Sequence, residues 1–116
     1  MGETMNIQHK ELASSRWDKM PLAEQMANIG SEVSRALNWQ KKGRKDLSQR
    51  AVNRALELID LTTLSKKEYS KLKEISRVRE ALVDFFYGSN EFFSSEVLWR
   101  KYFDQFTYLA RKHHNR

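Results

Sequence analysis

The chain has 116 residues, of which 40% are hydrophobic, and its formal net charge is +6 at pH 7. That length fits one domain, and the hydrophobic fraction is sufficient for a core. With one proline, four glycines and no cysteine, the composition favours long helices and excludes disulfides, thiolate nucleophiles and cysteine-bound metals.

The first fifteen residues are polar and carry no sustained apolar stripe, so residues 1–15 are predicted to be a flexible N-terminal arm. This segment lacks the apolar core of a signal peptide. Elsewhere no apolar run approaches the roughly 20 residues of a membrane span. We therefore expect a cytoplasmic protein, with residues 16–116 forming a single domain in which Trp17 folds back over the core.

Apolar residues recur every three or four positions in four later segments, and this period is typical of amphipathic helices. Gly43 and Gly88 are natural stops for the first and third helices. Ser65 with Glu68 resembles a capping box that would open the third helix, and Ser94 or Ser95 would cap the fourth. The predicted helices span residues 21–42, 45–62, 66–87 and 95–113. Because the connections are short, we predict an all-α, antiparallel, up-down-up-down four-helix bundle.

Two residues stand out on the apolar faces of these helices. Gly30 borders the stripe of the first helix, where a small residue would let a neighbouring helix approach closely. Arg79 lies within the apolar face of the third helix, whose own residues one turn away offer no carboxylate. An unpaired buried charge is costly, so we predict a core ion pair of Arg79 with Glu32 or Asp60. The alternatives are an anion-binding site and a side chain that reaches the surface.

Histidines are too few and too remote to form a metal or catalytic centre. A di-iron site in a helical bundle requires Glu-x-x-His pairs on facing helices. The only histidines are His9, His113 and His114, near the two chain ends, and none follows a glutamate by three positions. The chain also lacks a G-x-S-x-G segment and a glycine-rich phosphate loop. No catalytic residue, metal ion or cofactor is predicted.

Carboxylates supply the one enzymatic hypothesis. Glu57 and Asp60 lie one turn apart on the second helix, as do Glu80 and Asp84 on the third. The second pair resembles half of the magnesium-binding pattern of all-α nucleotide pyrophosphohydrolases, although their clustered E-E-x-x-E helix is absent here. The alternative is that these carboxylates are solvated charges that pair with nearby cations.

A basic cluster surrounds the first interhelical turn, and we call it the basic patch. It consists of Lys41, Lys42, Arg44, Lys45, Arg50 and Arg54. Such a patch can bind phosphates by counterion release. We identify no aromatic residue interleaved with the basic patch, so the sequence does not indicate base stacking. The alternative is a pair of solvated helix ends.

Aromatic residues concentrate between residues 85 and 108, in the last two helices and their connection. One small core does not readily enclose them all. Those left over are predicted to form a self-association surface, and core packing is the alternative. These residues are Tyr87, Phe92, Phe93 and Tyr108.

Three segments carry a resemblance: RWDKM at 16–20, EQMANIGSEV at 24–33 and RALELIDL at 54–61. They resemble a family of small uncharacterised prokaryotic proteins over about half of the chain. That family implies no activity, so no functional residue is carried over. The architecture is also similar, as a fold, to ribosomal-protein-like and diversity-retroelement accessory bundles, which assemble into basic rings that contact nucleic acid.

Together these patterns favour a non-enzymatic interaction or assembly module that forms a homo-oligomer. One alternative is a nucleic-acid-binding accessory protein that acts through the basic patch. A second is a magnesium-dependent nucleotide pyrophosphohydrolase. The expected partners are another copy of the chain, a nucleic acid or an acidic protein, and no membrane.

Overall fold

The computed structural model describes residues 15–65 and 68–114, without the side chains of His113 and His114. All regular structure in these residues is helical, so the predicted all-α class is confirmed. A short helix, α1, at 15–18 precedes the four long ones, so these described residues form five helices instead of four. The long helices are α2 (Leu22–Lys41), α3 (Lys45–Ser65), α4 (Tyr69–Tyr87) and α5 (Glu96–His114). Residues 1–14 of the predicted arm, which include His9, lie outside the described residues. Its last residue, Ser15, is the first residue of α1.

Helix α2 is the centre of the packing. It contacts both α3 and α5, and α3 also contacts α4. Met26, Ile29, Val33 and Leu37 form the buried stripe of α2, as their spacing predicts. This stripe belongs to a larger core cluster with side chains from the other helices, among them Ile59, Ile75, Leu82, Trp99 and Phe103.

Helix α2 ends at the predicted glycine. Gly43 has φ +74°, in the left-handed region that favours glycine. The Gly43 N–H donates to the Gln40 carbonyl at 3.1 Å, and the Arg44 N–H donates to the Trp39 carbonyl at 3.0 Å. These two bonds are the closing pattern of a Schellman motif, which satisfies carbonyls that the helix end leaves free.

The predicted boundary between α3 and α4 is wrong. Ser65 does not cap α4, because it is the last residue of α3 and its hydroxyl donates to the Thr62 carbonyl at 3.1 Å. The same hydroxyl accepts a bond from Gln25 Nε2 at 3.2 Å, across the gap to α2. Glu68 precedes α4 without a side-chain cap. The Ser95 hydroxyl, in contrast, accepts a bond from the Leu98 N–H at 3.2 Å, which confirms the predicted cap of α5.

Trp17 covers the end of the core between α2 and α3, which confirms the sequence prediction. Its side chain is buried, and its indole N–H donates to the Thr62 hydroxyl at 2.8 Å. The Trp17 carbonyl accepts a bond from Gln25 Nε2 at 2.7 Å. Thr62 and Gln25 are themselves fully buried. Polar bonds as well as apolar contacts therefore hold α1 in place.

Candidate interaction surface

Asp84, in the last turns of α4, organises the connection that leads to α5. Its Oδ1 accepts a bond from the Glu91 N–H at 2.9 Å, and its Oδ2 accepts one from the Phe92 N–H at 3.0 Å. The Asp84 carbonyl accepts further bonds from the N–H groups of Gly88 at 3.0 Å and Asn90 at 3.2 Å. One side chain thus satisfies two backbone donors of the loop and fixes its path.

A second set of bonds closes the loop at Asn90. Its Nδ2 donates to the Ser94 carbonyl at 2.9 Å, and its Oδ1 accepts from the Ser94 N–H at 2.9 Å. Asn90 has φ 58° and Phe93 has φ 54°. Asparagine tolerates this left-handed region, but for phenylalanine it costs about 1–2 kcal/mol. Such strain persists only where surrounding contacts determine the backbone, as the bonds from Asp84 and Asn90 do here.

The loop holds two phenyl rings in solvent. Phe92 is 59% exposed and Phe93 is 84% exposed. Tyr87, at the end of α4, is also exposed, although its hydroxyl donates to Asn53 Oδ1 at 2.9 Å. We call Tyr87, Phe92 and Phe93 the loop aromatics. They place exposed rings at the end of the molecule where α4 meets α5.

Tyr108 does not lie with the loop aromatics. It is exposed on α5, about 18 Å along the helix axis from Glu96. The four residues predicted for self-association are therefore all exposed, but they belong to two places in the fold. The loop aromatics lie before the start of α5 and Tyr108 lies about three turns into it, so the length of the helix separates them.

The basic patch is partly neutralised by neighbouring carboxylates. Lys41 Nζ lies 2.8 Å from Glu96 Oε2, which belongs to α5. Arg54 Nε lies 2.7 Å from Glu32 Oε2, and this pair connects α3 with α2. Two of the six cations thus contribute to contacts between helices, and their charge is less available to an outside phosphate.

Trp39 is the aromatic residue that the sequence interpretation missed in the basic patch. Lys42 Nζ lies 5.3 Å from the centroid of its ring, and Arg44 Cζ lies 5.9 Å from it. Both distances fit cation–π contacts. The prediction that no aromatic residue accompanies the patch is therefore wrong. The signal was present in the sequence, because Trp39 lies three residues before Lys42 on the last turn of α2.

Arg79 pairs with Asp60 rather than with Glu32. Its Nε lies 2.9 Å from Asp60 Oδ1, and the two side chains are 43% and 57% exposed. The contact therefore lies at the edge of the α3–α4 interface and is not a core ion pair. The long arginine stem covers apolar surface while its head reaches water, and a pair exposed to this degree contributes no more than about 1 kcal/mol.

A polar network that the sequence interpretation missed joins α5 to α2. Glu96 Oε2 accepts bonds from Lys41 Nζ and from Arg100 Nε, each at 2.8 Å. Hydrogen bonds from Lys41 and from Arg100 lower the pKa of the Glu96 carboxyl group. Arg100 Nη1 donates to the Ser34 hydroxyl and Nη2 to Asn38 Oδ1, both at 2.8 Å. The planar guanidinium group thus fixes α5 against α2 through two bonds, and its third bond, to Glu96, lies within α5.

The carboxylates of the enzymatic hypothesis do not converge. Asp60 contacts Arg79, and Asp84 is bound to the loop backbone. Glu57 and Glu80 are exposed. Among the described residues there is no group of three or more His, Cys, Asp or Glu side chains that could hold a metal ion. This arrangement does not provide the magnesium site that the hydrolase would require.

Within the described ranges, no helix combines the length and the apolar character needed to cross a membrane. Comparison of the chain with models of protein families, with curated proteins and with solved structures finds no match. The resemblances noted in the sequence therefore stay expectations. Function has to be argued from the residues of this chain.

Proposed function

We propose that the protein is a non-enzymatic interaction module that assembles into a homo-oligomer in the cytoplasm. We further propose that its long helices form an antiparallel, up-down-up-down bundle, which is consistent with the contacts of α2 with α3 and α5 and of α3 with α4. The observation that carries the functional proposal is the loop between α4 and α5, in which Phe92 and Phe93 are exposed on a hydrogen-bonded backbone.

The order of this loop favours binding. An interface residue that is already fixed loses little conformational entropy when a partner arrives. Aromatic anchors supply much of the binding energy of protein interfaces, and each phenyl ring can bury on the order of 150–250 Å². The exposed rings and the strain at Phe93 are costs for an isolated molecule. Contact with a partner would offset them.

A second copy of the chain is the partner that this loop fits best. Residues 88–95 carry one charged side chain, Glu91, so the loop itself adds little charge to a contact between two copies. The basic patch lies at the same end of the molecule, since Lys41 contacts Glu96, so its cations must stay outside that contact. In a two-fold dimer the same patch is used by both copies, and aromatic rings pack readily against one another. Self-association through the loop aromatics thus needs no complementary surface elsewhere on the molecule.

Substitution of both exposed loop rings should dissociate the oligomer. We expect the Phe92→Ser/Phe93→Ser variant to be monomeric at concentrations where the wild-type chain is oligomeric, as measured by light scattering over a concentration series. Tyr69→Ser is the matched control, because Tyr69 is exposed at the opposite end of α4. A wild-type chain that remains monomeric at high concentration would contradict the proposal.

A nucleic-acid accessory role is the second candidate. It is favoured by Lys42, Lys45 and Arg50, which form no ion pair within the described residues. We expect binding of a random-sequence oligonucleotide to weaken steeply with salt, because phosphate contacts release counterions. Lys45→Glu/Arg50→Glu should abolish it, and Lys71→Glu on α4 should not. Absence of binding at low salt would rule out this candidate.

A further inference from the structure

Helix α5 has a face that the other helices leave exposed in the part of the chain that the structure describes. At about 100° per residue, seven exposed residues fall within an arc of about 120°. We call this arc the α5 outer face; Val97 is 72% exposed on it and Tyr108 is 66% exposed. An open hollow of about 530 Å³ adjoins Leu98 at the edge of this face. The face consists of Val97, Leu98, Lys101, Gln105, Tyr108, Leu109 and Lys112.

The same short pattern occurs twice on this face. Val97 and Leu98 are followed by Lys101, and Tyr108 and Leu109 are followed by Lys112. The two occurrences are eleven residues apart, which is three helical turns plus about 20°. They therefore point in the same direction, about 16 Å apart along the axis. A face that only contacts water has no need of two aligned apolar pairs.

The charges of the face indicate the chemistry of its partner. Within the arc the charged residues are Lys101 and Lys112, and Gln105 between them is neutral. Two carboxylates of α5 lie outside the arc: that of Glu96 is bound to Lys41 and Arg100, and that of Asp104 is exposed about 20° beyond the edge of the arc, on the side of Val97. The net charge of +6 adds a long-range attraction for acidic molecules.

We propose that the α5 outer face docks an acidic amphipathic helix of a partner protein. Apolar residues of that helix would cover the two apolar pairs, and its carboxylates would meet Lys101 and Lys112. Such helix-to-helix recognition uses anchors at three- and four-residue spacing. This inference does not rest on self-association through the loop aromatics, because it uses different residues.

The positions of the lysines disfavour two other occupants. Lys101 and Lys112 project from the middle of the arc, with apolar residues on both sides. A helix that lies on a membrane carries its lysines at the polar flanks, where they reach the headgroups. A second copy docked here would bring the same lysines towards each other, and like charges in an interface are unfavourable. A carboxylate-bearing helix satisfies both the apolar and the charged residues.

A designed peptide tests the proposal on the full chain. The probe is a fluorescently labelled helical peptide with leucines at three- and four-residue spacing and glutamates beside them, and binding is followed by anisotropy. We expect binding that weakens with salt. Lys101→Glu/Lys112→Glu should reduce the affinity at least about tenfold, as expected for loss of two close charge pairs, and Leu98→Gln/Leu109→Gln should also reduce it.

Matched controls make the outcome decisive. Lys45→Glu/Arg50→Glu makes the same charge change on α3, whose main contacts within the described residues are with α2 and α4, and should leave peptide binding within about twofold. A peptide with lysines in place of the glutamates should not bind, and Phe92→Ser/Phe93→Ser should bind the acidic peptide normally.

The proposal is overturned if no binding occurs, if both charge reversals act equally, or if the chain binds only anionic phosphatidylglycerol vesicles. It is also overturned if reversal of Lys101 and Lys112 dissociates the homo-oligomer.

Discussion

Replacement of Trp17 by alanine should lower the free energy of unfolding by about 3–5 kcal/mol, the usual cost of removing a large buried aromatic side chain. The indole is buried in the same core cluster as Met26 and Ile59. Its loss would leave a cavity and would remove the bond to the Thr62 hydroxyl. Since domains of this size are stable by only about 5–15 kcal/mol, the variant would retain a small margin.

Urea denaturation followed by circular dichroism measures this loss for wild-type and variant chains. Trp17→Phe serves as the control, because it keeps an aromatic ring in the core and removes the indole N–H. The Thr62 hydroxyl still donates to the Leu58 carbonyl at 2.9 Å, so we expect a loss of about 1 kcal/mol from the missing bond. The smaller phenyl ring adds a packing cost, which stays below that of alanine. A Trp17→Ala variant within about 1 kcal/mol of the wild-type chain would show that α1 adds little to the core.

The sequence predicts the helices well where their signals are local. The stripe of α2 and the left-handed stop at Gly43 depend on residues within one or two turns, so periodicity and backbone preference suffice. Helix α4 also ends at the predicted glycine, but Gly88 has φ −105° and does not take the left-handed conformation of such a stop. The boundary between α3 and α4 is not set by local signals alone. Ser65 fits a capping box on local grounds, but Gln25 reaches it from another helix, and no spacing within the segment encodes that contact.

The interaction surface follows the same division. The exposure of Phe92 and Phe93 can be inferred, since they follow a helix stop and exceed what one core can enclose. The role of Asp84 could not be inferred, because its carboxylate acts on backbone groups seven and eight residues later. From helical spacing alone, Asp84 resembled either a solvated surface charge or one of two carboxylates that bind a metal ion. The pairing of Arg79 with Asp60 was one of the two predicted from the sequence. Its exposure was not predictable, because the position of the guanidinium group depends on how the flexible arginine side chain packs.

Substitution of Gly30 by alanine should destabilise the protein by about 1–3 kcal/mol, as overpacking in a core does. Alanine at an exposed helical site is instead favoured over glycine by about 1 kcal/mol. Gly30 lies where α2 meets α5, and an added Cβ would lie 2.6 Å from Phe103 Cβ and 2.9 Å from Phe103 Cγ. Because these atoms are close to the α5 backbone, rotation of the ring does not relieve the contact, and the helices must separate.

Ser31→Ala is the matched control for this substitution, since it also introduces alanine into α2 but at an exposed position. Its free energy of unfolding should stay within about 0.5 kcal/mol of the wild-type value. Separation of α2 from α5 would also lengthen the bonds of Arg100 to Ser34 and Asn38, so Gly30→Ala and Arg100→Ala should not be additive. If the Gly30→Ala chain is more stable than the wild type, the helix propensity of alanine outweighs its contact with Phe103. In that case α2 and α5 are not held as close together as the structure places them.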